Sequence, residues 1–562
     1  MSTLRTLTRG EIEHRIAQGD AIVIYKKNVL RLNKWIRFHP GGDKAVFHLI
    51  GRDATDEMNA YHCDQTQGTF NKWRIGKIEG KWENMLPPIQ GGKYRTLDRQ
   101  RLDDRTKEFP LSSSDESDST LVESSAIEHP MAGEIPGKIK SKVPQGIIPS
   151  LSAKDAYLKH VINDPSDVSE KYDDDLVEKD LKDLPSLDYE TQEYLSNEYN
   201  KLHQVIIDGG YYQCNYWAYF KEASRIGLLF TVSFTLLWFK SYILSAIAIG
   251  FAWQQLVFIA HDAGHISITH GYQTDNVIGM LVASYIGGLS LGWWKRSHNV
   301  HHLITNDPVH DPDIQHLPFF AVSTRLFKNI YSTYYDKYLW FDKLAQKMIP
   351  FQDKLYYVIL SFGRFNLYRL SWQHILLGEG PRHGSAAWFR YFELCGLTFF
   401  NYWYFYLIVY KSIDNNFDRF VYVMVSHIVT MIVHVQITLS HFAMSTSDLG
   451  VSESFTSRQV RTTMDVDCPE WFDYFHGGLQ FQTIHHLFPR VPRHNFRSIQ
   501  PLVIGFCEKV GLKYSIYGFV NGNKHVIDKL GEIAQQAKVL KACTKSLKDE
   551  AISEGKLFPD MF

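Results

Sequence analysis

Long uncharged stretches set the first expectation for this chain. Ile226–Phe239 carries no charge, Lys240 interrupts, and Ser241–Ala260 continues. Leu394–Tyr410 and Phe420–Leu439 make a second such pair, separated by a short turn. A helix crossing a bilayer needs about 20 residues, so the first run must extend upstream. The pattern predicts four spans, near residues 222–239, 241–260, 394–410 and 420–439. Their Trp and Tyr content suits membrane interfaces. Val277–Trp294 is also uncharged but holds four glycines.

Charge orients these spans. Lys295, Arg296, Arg325, Lys328, Lys337, Lys343 and Lys347 lie between the hairpins, whereas the hairpin turns offer only Lys240, Lys411 and Arg419. Positive charge stays on the cytosolic side, so the long segment and both ends of the chain belong there. Val277–Trp294 cannot then cross once without separating the polar motifs that flank it. A re-entrant or interfacial segment is expected.

Outside the spans the pattern changes. Residues 1–85 read as a small folded module, with apolar alternation in Ala21–Tyr25 and a turn at His39-Pro-Gly-Gly42. Residues 86–190 are acidic and Ser-rich around Ser112–Ser119, and such a stretch cannot bury enough surface to fold. A disordered tether is expected there. Residues 191–525 form the membrane domain and 526–562 a cytosolic tail.

Composition sharpens this. Among 562 residues, 60 Lys plus Arg balance 61 Asp plus Glu, which excludes a strongly basic nucleic-acid binder. The mean hydropathy of −0.23 averages unlike segments and describes none of them. Six scattered cysteines form no Cys-x-x-Cys pair, which fits a reducing compartment. Met1–Gly10 lacks the apolar run of a cleavable leader. The 25 histidines require a chemical account.

They cluster. His261 and His265 end the second apolar run; His298, His301 and His302 follow the glycine-rich one; His485 and His486 follow Gln482. Spacings of i, i+3 and i+4 put the imidazoles of each cluster on one helix face. Seven such side chains exceed what one tetrahedral zinc needs, so two metals in one pocket is the economical reading. His427, His434 and His441 lie seven apart on the last run, and only His441 falls past its end. His441 is the expected extra ligand, and His427 and His434 are expected to make interhelical hydrogen bonds. His270, His310, His316 and His476 are assigned to the surroundings of the site. Asp262, Asp311 and Asp313 are candidates to orient ligating imidazoles, or else sit in a solvated loop. Gln482 can offer a carbonyl oxygen to a metal or orient a ligand. Trp293, Trp294, Tyr285 and Gly287-Gly288 are candidate tunnel-lining residues, or else packing.

His-x3-His, His-x2-His-His and Gln-x2-His-His, over about residues 195–520, resemble the membrane fatty-acid desaturase and hydroxylase superfamily. Gln482 and Asn306-Asp-Pro through Asp311-Pro-Asp313 resemble its front-end branch, although Thr483-Ile484 departs from the usual Ile-Glu. Residues 1–80, with His39-Pro-Gly-Gly, Gly51-Arg-Asp and Tyr61-His62, resemble cytochrome b5. The resemblance implies haem b held by His39 and His62, His48 being the poorer candidate. It also implies two non-haem irons and O2 as co-substrate, with His261, His265, His298, His301, His302, Gln482, His485 and His486 at the catalytic site. NADH-cytochrome b5 reductase is the implied electron source, membrane lipid the setting, and the endoplasmic reticulum membrane the implied location.

The implied fold is multi-domain. It joins a small α+β haem domain to an all-α membrane domain of four transmembrane helices with a cytosolic cap. Thr483-Ile484, Gln482 and the acidic tether are most similar to fungal sphingolipid Δ8 desaturases, which implies a ceramide substrate and a trans double bond at C8–C9. A Δ5 or Δ6 acyl-lipid desaturase, a hydroxylase on the same irons and a non-catalytic haem tether are the alternatives.

Overall fold

The structure, a computed structural model, describes residues 5–92 and 165–553. In the N-terminal module a three-stranded antiparallel sheet, β1 (Ile22–Tyr25), β2 (Asn28–Arg31) and β3 (Arg74–Lys77), packs with four short helices. These are α1 (Arg9–Ala17), α2 (Asp43–Phe47), α3 (Thr55–Tyr61) and α4 (Asp64–Thr69). Thr8 and Glu11 close a reciprocal capping box at the start of α1. The expected alternation in β1 does not hold, because all four of its residues are buried. They share one core with Ile12 and Ile16 of α1, Val46 of α2 and Ile50.

Two expected boundaries shift. The Ser-rich body of the tether lies outside the described residues. Its C-terminal part is ordered: α5 (Pro165–Asp183) is a helix, and α6 (Tyr189–Asp208) begins before residue 190. The reason is tertiary: Tyr172 enters an apolar cluster with Ile533 and Ala537, and its hydroxyl donates to Glu532 at 3.1 Å. The tail expected from residue 526 is also part of the fold. It belongs to one long helix, Phe519–Ser553, whose Val526, Leu530 and Ile533 are fully buried.

Between them, α7 (Tyr216–Trp238) and α8 (Tyr242–Gly264) form a hairpin about Lys240. The glycine-rich segment forms α9 (Tyr272–Met280), a wide π turn over Leu281–Ile286, and α10 (Leu291–Leu303), with a bend of 117° between its two arms. A hairpin, β4 (Ile330–Ser332) and β5 (Lys337–Leu339), precedes the surface helices α11 (Gln352–Ser361) and α12 (Gly363–Leu377). Next come α13 (Phe389–Phe400), continued by a π segment to Lys411, and the consecutive helices α14 (Asn416–Val429) and α15 (Met431–Leu439). Then α16 (Phe455–Thr462), β6 (Asp465–Asp467), α17 (Gln482–Leu487), α18 (Phe496–Val510), β7 (Ile516–Gly518) and the long α19 (Phe519–Ser553) close the chain. The domain is therefore helical but not all-α, since β4–β5 and the parallel β6–β7 pair interrupt it.

Among the described residues, two helices are long and apolar enough to cross a membrane, Tyr242–Gly264 and Asn416–Leu439, with the bent pair Tyr272–Ile286 and Leu291–Leu303 as a further candidate. The first two pack closely at Gly250, where a Cβ would meet Ser426 O and Val429 Cβ at 2.7 Å. The first helix of each expected hairpin carries charge in its early turns, Lys221, Glu222 and Arg225 in α7 and Arg390 and Glu393 in α13.

Candidate metal centre and its flanking cradle

The histidines converge where α8, α10, α15 and α17 end. His261 closes α8 and His265 caps it. Gly264 lets α10 approach, since a Cβ there would lie 2.2 Å from Trp294 Cζ3. Trp294 in turn stacks on His298 at 4.4 Å between ring centroids. His301 and His302 follow on the same buried face of α10. His485 and His486 occupy the fully buried α17.

Two ligand groups result. Ring nitrogens of His261, His265, His298 and His485 lie within 4.8 Å of one another, and so do those of His301, His441 and His486. His302 joins them: its Nε2 is 3.0 Å from His298 Nε2 and 3.1 Å from His485 Nε2, while its ring stacks on His486 at 4.1 Å. Burial favours neutral imidazoles, the form that binds metal, but at His301 the carboxylates of Asp311 and Asp313 outweigh burial and raise the pKa to about 8. Two nitrogens directed at each other need a shared partner, and cis ligands held about 2 Å from one ion sit about 3 Å apart. His265 Nε2, His302 Nδ1 and His486 Nε2 are buried with no hydrogen-bond partner among the described residues. Orphans of that kind cost about 1–3 kcal/mol each unless something else takes their lone pairs. The donor set therefore fits two metal ions.

Neighbouring polar groups fix the rings. Asp311 accepts His301 Nδ1 at 2.8 Å and also the backbone N–H groups of Asn306 (2.7 Å) and Asp313 (2.8 Å). Asp313 accepts from Ser297 at 3.0 Å and lies 3.4 Å from His298 Nδ1. Asn306, in the left-handed region at φ 61°, donates to the carbonyl of His441 at 2.8 Å. The Asn306–Asp313 run thus positions ligands from both groups. Gln459 was not singled out by its sequence, yet it accepts His486 Nδ1 at 2.8 Å and donates to the His302 carbonyl at 2.7 Å. Gln482 is buried at the start of α17, one turn ahead of His485 and His486.

Other candidates fall elsewhere. Asp262 lies 3.8 Å from His261 Nδ1 and also pairs with Arg493 and Tyr219, and Arg493 with Glu222, so it links His261 to a buried ion cluster joining α7, α8 and the approach to α18. Among the described residues His427 makes no hydrogen bond to another helix. Its Nδ1 donates to Val423 O of its own helix at 2.7 Å, and its ring stacks on Phe365 at 4.6 Å. His434 packs against Gly363, and its Nε2 has no partner among the described residues. His270 bridges Ile266 O and Tyr212 O at 2.9 and 2.6 Å, a tie between segments. His310 meets Thr333 at 3.0 Å, His316 lies beside Phe442, and His476 lies 3.4 Å from Gln436. The Trp293 backbone N–H donates to the capping Ser290 Oγ at 3.0 Å, and Tyr285 packs on Phe392.

In the N-terminal module His39 and His62 face each other with ring centroids 6.2 Å apart. That spacing admits one metal ion about 2 Å from a nitrogen of each ring. Both Nδ1 atoms are engaged by carbonyls, His39 with Gly42 at 2.7 Å and His62 with Met58 at 3.0 Å, which leaves each Nε2 free to ligate. Burial, then the neighbouring His39, push the His62 pKa down to about 3, so the ring is neutral. His48 faces Gln90 and His310 instead. The cradle fits a six-coordinate haem, which carries electrons and leaves no open position for O2.

The two sites adjoin. Lys44 reaches Asp336 and Thr333 O at 2.7 and 2.9 Å, Asn299 donates to Gly41 O at 3.0 Å, and Asn200 donates to Asp56 at 2.7 Å. Tyr61, the residue before His62, lies edge-on to His302 with centroids 6.1 Å apart.

Comparison with known proteins agrees with this geometry. The family described as fatty acid desaturase matches residues 237–518, and the cytochrome b5-like haem/steroid binding domain matches residues 8–79. A Delta 8-(E)-sphingolipid desaturase from Lachancea kluyveri is 64% identical over 98% of this chain and 96% of its own. One from Kluyveromyces lactis is 65% identical over 97% and 96%. The chain belongs to the fatty acid desaturase family. An acyl-lipid (9-3)-desaturase from Borago officinalis is more distant, at 34% over 65% of this chain and 81% of its own. As a desaturase with a fused cytochrome b5-like domain, the chain is an O2-dependent membrane oxidoreductase acting on lipid, with haem and a di-iron centre as its cofactors.

Proposed function

We propose that this desaturase introduces a trans double bond between C8 and C9 of the long-chain base of a ceramide. The observation that carries this is near full-length identity, 57–65%, to several yeast proteins named Delta 8-(E)-sphingolipid desaturase, haem module included. His261, His265, His298 and His485 would hold one iron, and His301, His441 and His486 the other, with His302 between the two groups and Gln482 adjoining. His39 and His62 hold the haem. When bound, the irons would supply O2-dependent oxidation, in which two hydrogens from adjacent methylenes, two electrons and two protons convert O2 to two waters.

The chain's own residues do the rest. Asp311, Asp313 and Gln459 hold imidazoles in the tautomer and angle that ligation needs. Burial of His265, His301, His302, His485 and His486 would keep bulk water from the reacting methylenes. Tyr61 brings the haem cradle against His302. A methylene chain offers no polar handle, so distance from a bound head group selects C8. The helices α7 and 389–411 complete four spans with the two apolar ones, and the haem domain and box histidines face the cytosol of the endoplasmic reticulum membrane. NADH-cytochrome b5 reductase supplies the electrons.

Lipid profiling in a host lacking the activity tests this. The expected product is a long-chain base two mass units lighter, with a trans bond at C8. A gain of sixteen would mean hydroxylation, and altered fatty acids with unchanged bases would refute the sphingolipid assignment.

A further inference from the structure

A groove of about 490 Å³ lies between α19 and the turn that precedes α11, away from the histidines. Lys538, Lys541 and Lys545 form one wall, spaced i, i+3 and i+7 on one face of α19, and Lys347 stands on the other. Among the described residues no carboxylate lies within ion-pair distance of these four lysines. Phe351 and Ala542 give the groove an apolar side, and Phe351 is 51% exposed. Four unpaired ammonium groups around an apolar wall suit a ligand with a negative head and a greasy body.

The fold ties this groove to the end of a helix long and apolar enough to cross a membrane. Tyr356 of α11 bonds Thr438 at 2.6 Å, in the last turn of the Asn416–Leu439 helix. Gln352, at the start of α11, donates to Leu530 O of α19 at 2.9 Å, which ties the lysine helix to the same place. The outer face of α11 presents Tyr357, Val358 and Phe362 to the surroundings, each 44–55% exposed. An exposed apolar face flanked by lysines is the signature of a helix lying in the interface, where anionic head groups gather.

We propose that this groove binds the phosphate head group of an anionic glycerophospholipid, with Phe351 against its glycerol and first acyl carbons. The assignment concerns membrane lipid and is independent of which lipid is desaturated.

Native mass spectrometry of the full haem-loaded chain in detergent, titrated with dioctanoyl phosphatidic acid, tests it. Replacing Lys538, Lys541 and Lys545 together by Gln should weaken binding at least tenfold, while their replacement by Arg should preserve it. Dioctanoyl phosphatidylcholine should bind at least tenfold more weakly than phosphatidic acid. Haem absorbance and the melting temperature check that the variants fold. If the triple Gln variant fails that check, Lys347→Gln, on the opposite wall, replaces it with the same loss expected. Equal binding of phosphatidylcholine, undiminished binding by the folded Gln variant, or displacement by equimolar inorganic phosphate would each overturn the proposal.

Discussion

Asp311 shows how much one buried carboxylate can organise. It holds His301, the Asn306 amide and the Asp313 amide at once. Asp311→Asn preserves the volume but removes the charge from the imidazole contact. Iron content per haem, measured by plasma mass spectrometry, should drop by about 10–100-fold in apparent affinity while haem content holds. His39→Ala should do the reverse, abolishing the haem spectrum and turnover with iron retained; full turnover without added cytochrome b5 would disprove the electron route. At this scale the box histidines were readable because i, i+3 and i+4 spacing is local. Gln459 and Arg493 were not, because their partners lie 157 and 231 residues away in sequence, and nothing periodic marks them. Asp262 was legible in part: its adjacency to His261 is visible in sequence, whereas its ion pair with Arg493 is not.

At the scale of elements, close approach decides function. Gly264 is where α8 meets Trp294, and Trp294 stacks on His298. Gly264→Ala should overpack this contact, costing about 1–3 kcal/mol. A melting curve should show the loss together with lower iron occupancy. Gly505, inside α18, is the control, since a Cβ there meets nothing within 4 Å. Gly505→Ala should raise stability by about 0.5–1 kcal/mol, because helix interiors disfavour glycine. The apolar runs located the helices well, since apolar length is a local property. The order of α5 and α19 was hidden, because polar helices of this kind are fixed by what they dock on. Tyr172 meeting Ile533 is a fact of the tertiary fold.

For the whole molecule, the seating of the haem module on the membrane domain is the feature that responds to conditions. Its ion pairs are partly solvated: the side chain of Asp336, paired with Lys44, is 63% exposed. Exposed pairs of this kind contribute about 0–1 kcal/mol each. Beneath them lie Asp56 and Glu57. Burial raises Asp56 to a pKa of about 6, against the hydrogen bonds of Ser196 and Asn200, and Glu57 to about 7, against nearby Arg52. Both acids hold protons more tightly when buried than when unfolded, so stability should decline as pH rises from about 4 through 7. The melting temperature of the haem-loaded chain should accordingly be higher at pH 5 than at pH 8. Asp56→Asn should flatten part of that slope; an unchanged slope would place the titration elsewhere.

The same seat has a consequence for engineering. The cradle for haem needs only His39, His62 and their carbonyl partners, but the fit to the catalytic face needs Gly41, Asp43, Lys44, Asn59 and Tyr61 as well. A module transplanted from another protein would fill with haem, look correct by colour, and still sit badly. The domain is a matched part, and the residues that match it lie outside the cradle that identifies it.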